Sequence, residues 1–450
     1  MKSKGRRLFL CLMASIMAMG TKAQESVQAE SVGTLDLNLE KAIEIALAEN
    51  PTIKVADKDI ELKKVADKEA WQALLPEVNV TGNLQHTILA TEMKLGGEKF
   101  KMGKDNANTV AAVATLSIPL FAPTIYQNMK LTKTDIKLAQ EKARSSRLDL
   151  INQVSKAYYQ ALLAKDSYEV MQKSFKTSKQ NYEVVEKKFN VGRVSEYDKI
   201  SAEVQMRSME SALTSAQTGM TLAMLQLKVL KGVTENVDLK INDQLKNYES
   251  QLVLPETYSF SQELQNNSAL RQFELNKNLL ERSLKIQRTN FMPTLAFQLT
   301  GQYQSLYNDD WALWNYEYAP SASFTLVLSI PIYKAKNWTG LKKIKIQMAQ
   351  LEDNRINTER QLNMAAQSYS KNMASSIAQI GSNKTAVQQA DKAVMISEKR
   401  YEVGRGTILE LNQSEVALTQ AELTYNQSIY DYLNNRADLD YTLGRETYLK

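Results

Sequence analysis

Residue types that carry covalent or metal chemistry are nearly absent from this sequence, which holds one histidine, His86, and one cysteine, Cys11. Cys11 falls within an apolar run from Leu8 to Met19 that follows Lys2, Lys4, Arg6 and Arg7 and precedes Thr21-Lys22-Ala23. That layout is a secretory signal peptide, residues 1–23, with cleavage after Ala23. A run of about 12 apolar residues is too short to be an anchor helix, which needs about 20, and no small residue precedes Cys11 to mark it for lipid attachment. The mature chain therefore has no thiol nucleophile, disulfide or Cys/His zinc site, and no histidine for a triad other than His86. His86 lies in a strand-like stretch without an acidic neighbour at ligand spacing, which points to a structural role. Carboxylate chemistry is all that remains, so the expectation is a protein that is not an enzyme and uses neither cofactor nor metal.

The formal charge of +6 belongs almost entirely to the signal, which takes Lys2, Lys4, Arg6, Arg7 and Lys22 and no acid with it. The remainder is close to neutral, and a nucleic-acid partner is not indicated. Past the signal there is no uninterrupted apolar run of about 18 residues, so a membrane span would have to be made of strands.

Proline placement shows what could hold such a chain in shape. The eight prolines leave 124–254 and 332–450 free of proline, and long helices can run there. The sequence also repeats itself. Asn50-Pro51 to Pro76 returns 217 residues later as Asn267-Ser268 to Pro293. Ser117-Ile118-Pro119 returns 212 residues later as Ser329-Ile330-Pro331, Phe189-Asn190-Val191-Gly192-Arg193 returns as Tyr401-Glu402-Val403-Gly404-Arg405, and Gly232 returns as Gly444. The expected organisation is two halves, 24–240 and 241–450, each reading helix, strand, strand, long helix, long helix.

In the first half an i, i+3, i+4 stripe of Leu39, Ala42, Ile43, Ala46 and Leu47 marks the opening helix. The period then drops to two. Val78, Val80 and Leu84 alternate with Asn79, Thr81, Asn83 and Gln85, and Leu295, Phe297, Leu299 and Tyr303 alternate with Gln298, Thr300 and Gln302. Ala112 to Ile118 and Phe324 to Ile330 give two more such strands, about 10 to 13 residues each. A soluble sheet with one face on a core would show the same alternation. Trp311, Trp314, Tyr316 and Tyr318 beside the fourth strand favour a membrane interface. The stretch 124–190 has neither glycine nor proline and reads as one helix on the order of 100 Å long, and the last segment reads as coiled coil, with a seam of Ile408, Leu411, Glu415, Leu418, Glu422, Tyr425, Ile429, Tyr432, Arg436, Leu439 and Leu443. Four strands cannot close a barrel, and bare edges in hydrocarbon leave backbone groups unpaired. Two copies would give eight strands and a filled interior; three give twelve and a lumen, with twelve long helices around the same axis.

The stretch Leu37-Asn38-Leu39-Glu40-Lys41-Ala42-Ile43-Glu44-Ile45-Ala46-Leu47 with Asn50-Pro51, the paired Ser-Ile-Pro strand ends and the paired aromatic-x-Val-Gly-Arg turns resemble the TolC family of outer-membrane efflux proteins. The resemblance runs from about residue 35 to the C-terminus. It implies a mainly α protein with long antiparallel helical hairpins and four transmembrane strands per protomer, a trimer with a 12-strand β-barrel in outer-membrane lipid continued by a 12-helix periplasmic tunnel. It also implies docking through a periplasmic adaptor onto an inner-membrane pump, as the exit duct of tripartite efflux or type I secretion. It places Val191, Gly192, Arg193, Val403, Gly404 and Arg405 at the periplasmic tips that meet the adaptor. Asp198 and Tyr401 match positions that link the closed end, and Glu410 matches one position of an acidic ring. Two departures stand out: Gly406 replaces an arginine of the family pattern, with Arg405 one residue earlier, and Gln413 replaces the second acid.

A periplasmic adaptor or structural coiled coil without its own pore is the competing reading. An adaptor would carry glycine-rich lipoyl-like and small β-barrel segments around one helical hairpin, and this sequence has two hairpins and neither segment. The exported substrate leaves no signature in these residues.

Overall fold

The computed structural model describes residues 34–232, 238–253, 260 and 262–446; the expected signal peptide, 1–23, lies outside the described residues. Among those residues the first half runs β1 (Thr34–Asp36), α1 (Leu39–Glu49), α2 (Pro51–Gln72), β2 (Glu77–Thr87), β3 (Thr91–Leu95), β4 (Glu98–Met102), β5 (Ala107–Phe121), α3 (Pro123–Asn190) and α4 (Glu196–Lys231). That half closes on β6 (Asp238–Lys240), and the second runs two short 3₁₀ turns, α5 (Ser268–Thr289), β7 (Thr294–Asn308), a third 3₁₀ turn, β8 (Ala319–Ser329), α6 (Ala335–Glu402) and α7 (Ile408–Leu443). The bounds of α6 and α7 are those of α3 and α4 moved by 212 residues, and α5 repeats α2 at 217.

The proline-free stretches are indeed helices of great length: α3 and α6 have 68 residues each, about 100 Å at 1.5 Å per residue. In proteins most of a helix's stability comes from packing one face against a partner. α3 supplies one through Leu150, Ile151, Val154, Ala157, Tyr158, Ala161 and Leu162, all buried, against α1, α4 and α7. The seam expected along α7 is there, with Ile408, Leu411, Glu415, Ile429, Tyr432, Leu439 and Leu443 buried. The shorter α2 and α5 line one half of the long helices, and α4 and α7 line the other. No helix among the described residues is long and apolar enough to cross a membrane.

The sheet answers the question of faces. Its order is β2-β5-β7-β8, antiparallel throughout. Register places Val78 opposite Leu116, Leu116 opposite Leu299 and Leu299 opposite Phe324, while Ile118, Phe297 and Leu326 form the next row. Those rows share one apolar face. The other face collects Asn79, Thr81, Thr115, Ser117, Gln298, Thr300, Ser323 and Thr325. Across all four strands the one acidic side chain is Glu77, at the first position, and the one basic side chain is His86; Tyr303 and Tyr307 are the other ionisable groups. β2 and β8 are the edges and lie exposed along almost their whole length.

Three expectations need correction. The strands have 11, 15, 15 and 11 residues, longer in the middle than the 10 to 13 read from alternation. The simple helix-strand-strand order misses a hairpin, β3–β4, inserted in the first half only; Gly96 and Gly97, at φ 61° and 95°, make its turn. It accounts for the change of repeat spacing from 217 to 212 between the strands of a half. The opening helix is split at Asn50, because Pro51 takes the first position of a new helix. The aromatic cluster is also less uniform than expected: Trp311 and Trp314 are both open to solvent, Trp311 stacking on His86 as well, whereas Tyr316 is buried. His86 in turn hydrogen-bonds Asn108 through Nδ1 at 2.8 Å.

Each half contains the same joint. Asn50 Oδ1 accepts from Thr52 N at 2.8 Å and its Nδ2 donates to Leu230 O at 2.8 Å; Asn267 Oδ1 accepts from Ala269 N at 2.8 Å and its Nδ2 donates to Thr442 O at 2.7 Å. One amide thus caps one helix and satisfies the end of another. The helices that end there do so in Gly232 (φ 66°) and Gly444 (φ 65°), and a Cβ on Gly444 would stand 2.4 Å from the Asn266 carbonyl oxygen. Gly444→Ala is therefore expected to cost more than the roughly 1–2 kcal/mol of a left-handed alanine. Gly404→Ala, with the same handedness but open space around it, should cost only that. Thermal unfolding of the two variants side by side checks the difference; equal losses would mean the joint is not tightly packed.

Candidate functional site at the helical tip

Reversing the chain between two antiparallel helices needs a residue at positive φ, and glycine takes it without steric penalty. Gly192 and Gly404 both sit at φ 75°. After each, the next amide reaches back to close the helix: Arg193 N donates to Lys188 O and Arg405 N to Arg400 O, both at 2.8 Å. Val191 and Val403 are exposed at 69% and 67%, and nothing lies within 4 Å of a Cβ built on either glycine. The six tip residues, Val191, Gly192, Arg193, Val403, Gly404 and Arg405, thus stand at the ends of two parallel hairpins with their surface unoccupied in the protomer.

Immediately inside the tips the two hairpins pack together. Val185 of α3, Ala202 of α4 and Ile408 and Leu411 of α7 form a buried cluster, with Tyr182, Val194 and Tyr401 against it. Tyr401 is the cross-hairpin piece: its ring lies 4.4 Å under Lys188 Nζ, and its hydroxyl is buried without a hydrogen-bond partner in the protomer. Burial, and then the charge of Asp198, push that hydroxyl's pKa up. Asp198 itself turns to its own helix end. Its carboxylate accepts from Ser195 N at 3.1 Å and Ser195 Oγ at 2.8 Å, while Asp198 N donates to Ser195 Oγ at 3.1 Å, a reciprocal cap. Within one protomer the two residues are neighbours without a direct link.

Glu410 lies in the first turn of α7, 3.5 Å from Arg400 Nη1. Its charge is therefore partly countered. At Gly406 an added Cβ would meet Arg400 Cβ at 3.1 Å, so the site is tight and Arg400 occupies the neighbourhood. Gln413 is exposed and lines an apolar groove of about 700 Å³ between α4 and α7 with Tyr197, Ile200, Val204, Leu409 and Val416.

Sequence reasoning placed Glu415 in the α7 seam without giving it a role. It is only 7% exposed and accepts a hydrogen bond from Asn181 Nδ2 of α3. One turn on, Ser174 and Thr419 share a hydrogen bond at 2.9 Å. Polar pairs of this kind give no periodic signal, because Asn181 reads as one more surface residue of α3.

The family model described as outer membrane efflux protein matches residues 42–233 and 260–445. The chain is 22% identical to the outer membrane protein TolC of Escherichia coli K12 over 423 residues, covering 90% of this chain and 82% of that one. It is 22% identical to the alkaline protease secretion protein AprF of Pseudomonas aeruginosa over 419 residues, covering 91% and 84%. In fold it is similar to the CmeC outer membrane channel of Campylobacter jejuni, with a TM-score of 0.70 at 18% identity over 94% of this chain and 90% of that one. With both halves matched in order and the sheet, hairpins and tips arranged as described, the chain belongs to the outer membrane efflux protein family.

Proposed function

We propose that three copies of this chain close into one duct, each contributing four strands to a 12-strand barrel in outer-membrane lipid and four long helices to a periplasmic tunnel. The observation that carries the reading is the sheet: one apolar face, one polar face and two unpaired edges, an arrangement that satisfies its backbone in hydrocarbon only when neighbouring copies pair β8 to β2. The two halves, 24–240 and 241–450, act as two copies of one repeat, so each protomer presents two equivalent tips. Through Val191-Gly192-Arg193 and Val403-Gly404-Arg405 those tips meet a periplasmic adaptor, which joins the duct to an inner-membrane pump. The protein serves as an outer-membrane exit duct for efflux or type I secretion and performs no catalysis of its own. An adaptor or a structural coiled coil has no use for a sheet with an apolar outer face.

The closed end of the tunnel is the second part of the proposal. Threefold symmetry brings three Glu410 carboxylates to the axis, where a narrow, low-dielectric wall concentrates their field. The buried, unpartnered Tyr401 hydroxyl and the neighbouring Asp198 are the groups available for a link that shuts this end. Planar bilayer recordings of the purified protein test the gate. Glu410→Ala should lower cation preference, and because it frees Arg400 it should carry the selectivity toward anions. Asp198→Ala with Tyr401→Phe should raise conductance. A wild-type protein that never conducts would overturn the duct, whereas conducting variants with unchanged selectivity and conductance would put the constriction elsewhere.

A further inference from the structure

We infer that Glu415 is a proton-operated latch between the two helical hairpins of one protomer: carrying a proton it stays packed in the seam, and losing it the seam opens. The position is the first ground for this. Glu415 stands on α7 two turns from the tip, one turn beyond the apolar cluster of Val185, Ala202, Ile408 and Leu411. Its carboxyl points across the seam to α3, where Asn181 donates the hydrogen bond it receives from a side chain. Beyond it the seam continues through Ser174 and Thr419 to an exposed ion pair, Lys173 with Glu422. The contacts that join hairpin to hairpin between the tip cluster and the ion pair of Lys173 with Glu422 thus include one carboxyl removed from water.

The second ground is charge. A buried carboxylate needs a cation or several donors to stay ionised, and Glu415 has neither. From α6 the group whose field reaches it is Glu398, of the same sign. From α3 it is the neutral Asn181. The charges of α4 in this stretch, Glu203 and Arg207, act on Tyr182. On α7 itself Glu410 and Glu422 are paired with Arg400 and Lys173. Burial first, and then Glu398, push the Glu415 carboxyl up to about 7 from its ordinary 4.5, against the lowering effect of Asn181. A carboxyl raised by packing favours the packed state fully below its ordinary value, and that contribution is lost as pH rises toward the raised one. The seam is therefore tightest in acid and loosens between about pH 5 and pH 8.

The latch is a property of the protomer; its effect on conduction rests on the duct reading above. The test measures the seam directly. On a background without Cys11, spin labels at Lys187→Cys on α3 and Gln413→Cys on α7, both exposed positions, report the distance between hairpins, with labelled chain diluted into unlabelled chain. The distribution should lengthen and broaden from about pH 5 to about pH 8, and in Glu415→Gln, which keeps an acceptor for Asn181 but cannot ionise, it should stay the same at both. An unchanged wild-type distribution, or a full response in Glu415→Gln, overturns the latch. In bilayers the same pH step should raise opening frequency on the order of tenfold in the wild type and leave Glu415→Gln flat. Conducting channels without that response, but with a moving seam, would confine the latch to the helices and leave the duct standing.

Discussion

Arginine in place of Leu326 prevents stable trimers from accumulating in the outer membrane, while arginine one residue earlier, at Thr325, is carried. The two positions share a strand and a backbone environment, and they differ in which way they point. Leu326 faces Phe297 across the β7–β8 ladder, within the row that includes Ile118, and the neighbouring rings of Phe297 and Phe324 stack at 6.4 Å. Thr325 faces Gln298, on the side of the amides and hydroxyls. An arginine in the lipid-facing row costs about 2–4 kcal/mol near the bilayer midplane, and the trimer meets that cost three times. On the other face the guanidinium reaches water. Cross-linking of isolated envelopes, followed by electrophoresis without heating, separates trimer from monomer for each variant. Equal tolerance of both arginines would show that the two faces see the same medium.

Tryptophan at Gly192 or at Gly404 abolishes export and leaves the trimer intact. At φ 75° any L-residue bears a strain of about 1–2 kcal/mol, too little to unfold helices held by a buried core along their length. Nothing within 4 Å obstructs a Cβ at either glycine, so the new side chain projects outward from the tip, where the partner would sit. Asparagine, which tolerates the left-handed region and is small, should keep most of the export, and the contrast separates bulk from backbone. Export assays together with cross-linking to the adaptor read the outcome. Adaptor binding that survives tryptophan at both tips would reduce them to turns.

Much of this fold is legible in the sequence because helix length and repeat spacing are written in single residues. The absence of proline from 124–254 and 332–450 anticipates α3 and α6, and the recurrence of Val-Gly-Arg fixes both tips. The α7 seam is readable by its steps of three and four. What escaped has physical reasons as well. The Gly96-Gly97 turn is a hairpin signal, yet Lys94, Lys99 and Lys101 break the apolar pattern around it. The joint at Asn50 and Asn267 depends on contacts to Leu230 and Thr442, far away in sequence. Asp198 carries two possible local signals, a link position by resemblance and the acid of Ser195-x-x-Asp198, and in the protomer the nearby cap takes the carboxylate.

The wall of the sheet has a consequence for what leaves the cell. A pore tells anions from cations by fixed charge, and the face built of Asn79, Thr81, Thr115, Ser117, Gln298 and Thr300 has none beyond Glu77 at its helical end. In the proposed duct the strand-lined stretch of the path therefore offers an acid, a base and a neutral sugar the same amides and hydroxyls, while the nearest fixed charges beyond it stand in the connecting segments, at Lys99, Lys101, Lys104 and Asp309. Discrimination by charge then falls to the two ends of that stretch, the connecting segments on one side and the helices on the other, and the wall between them behaves as a vent.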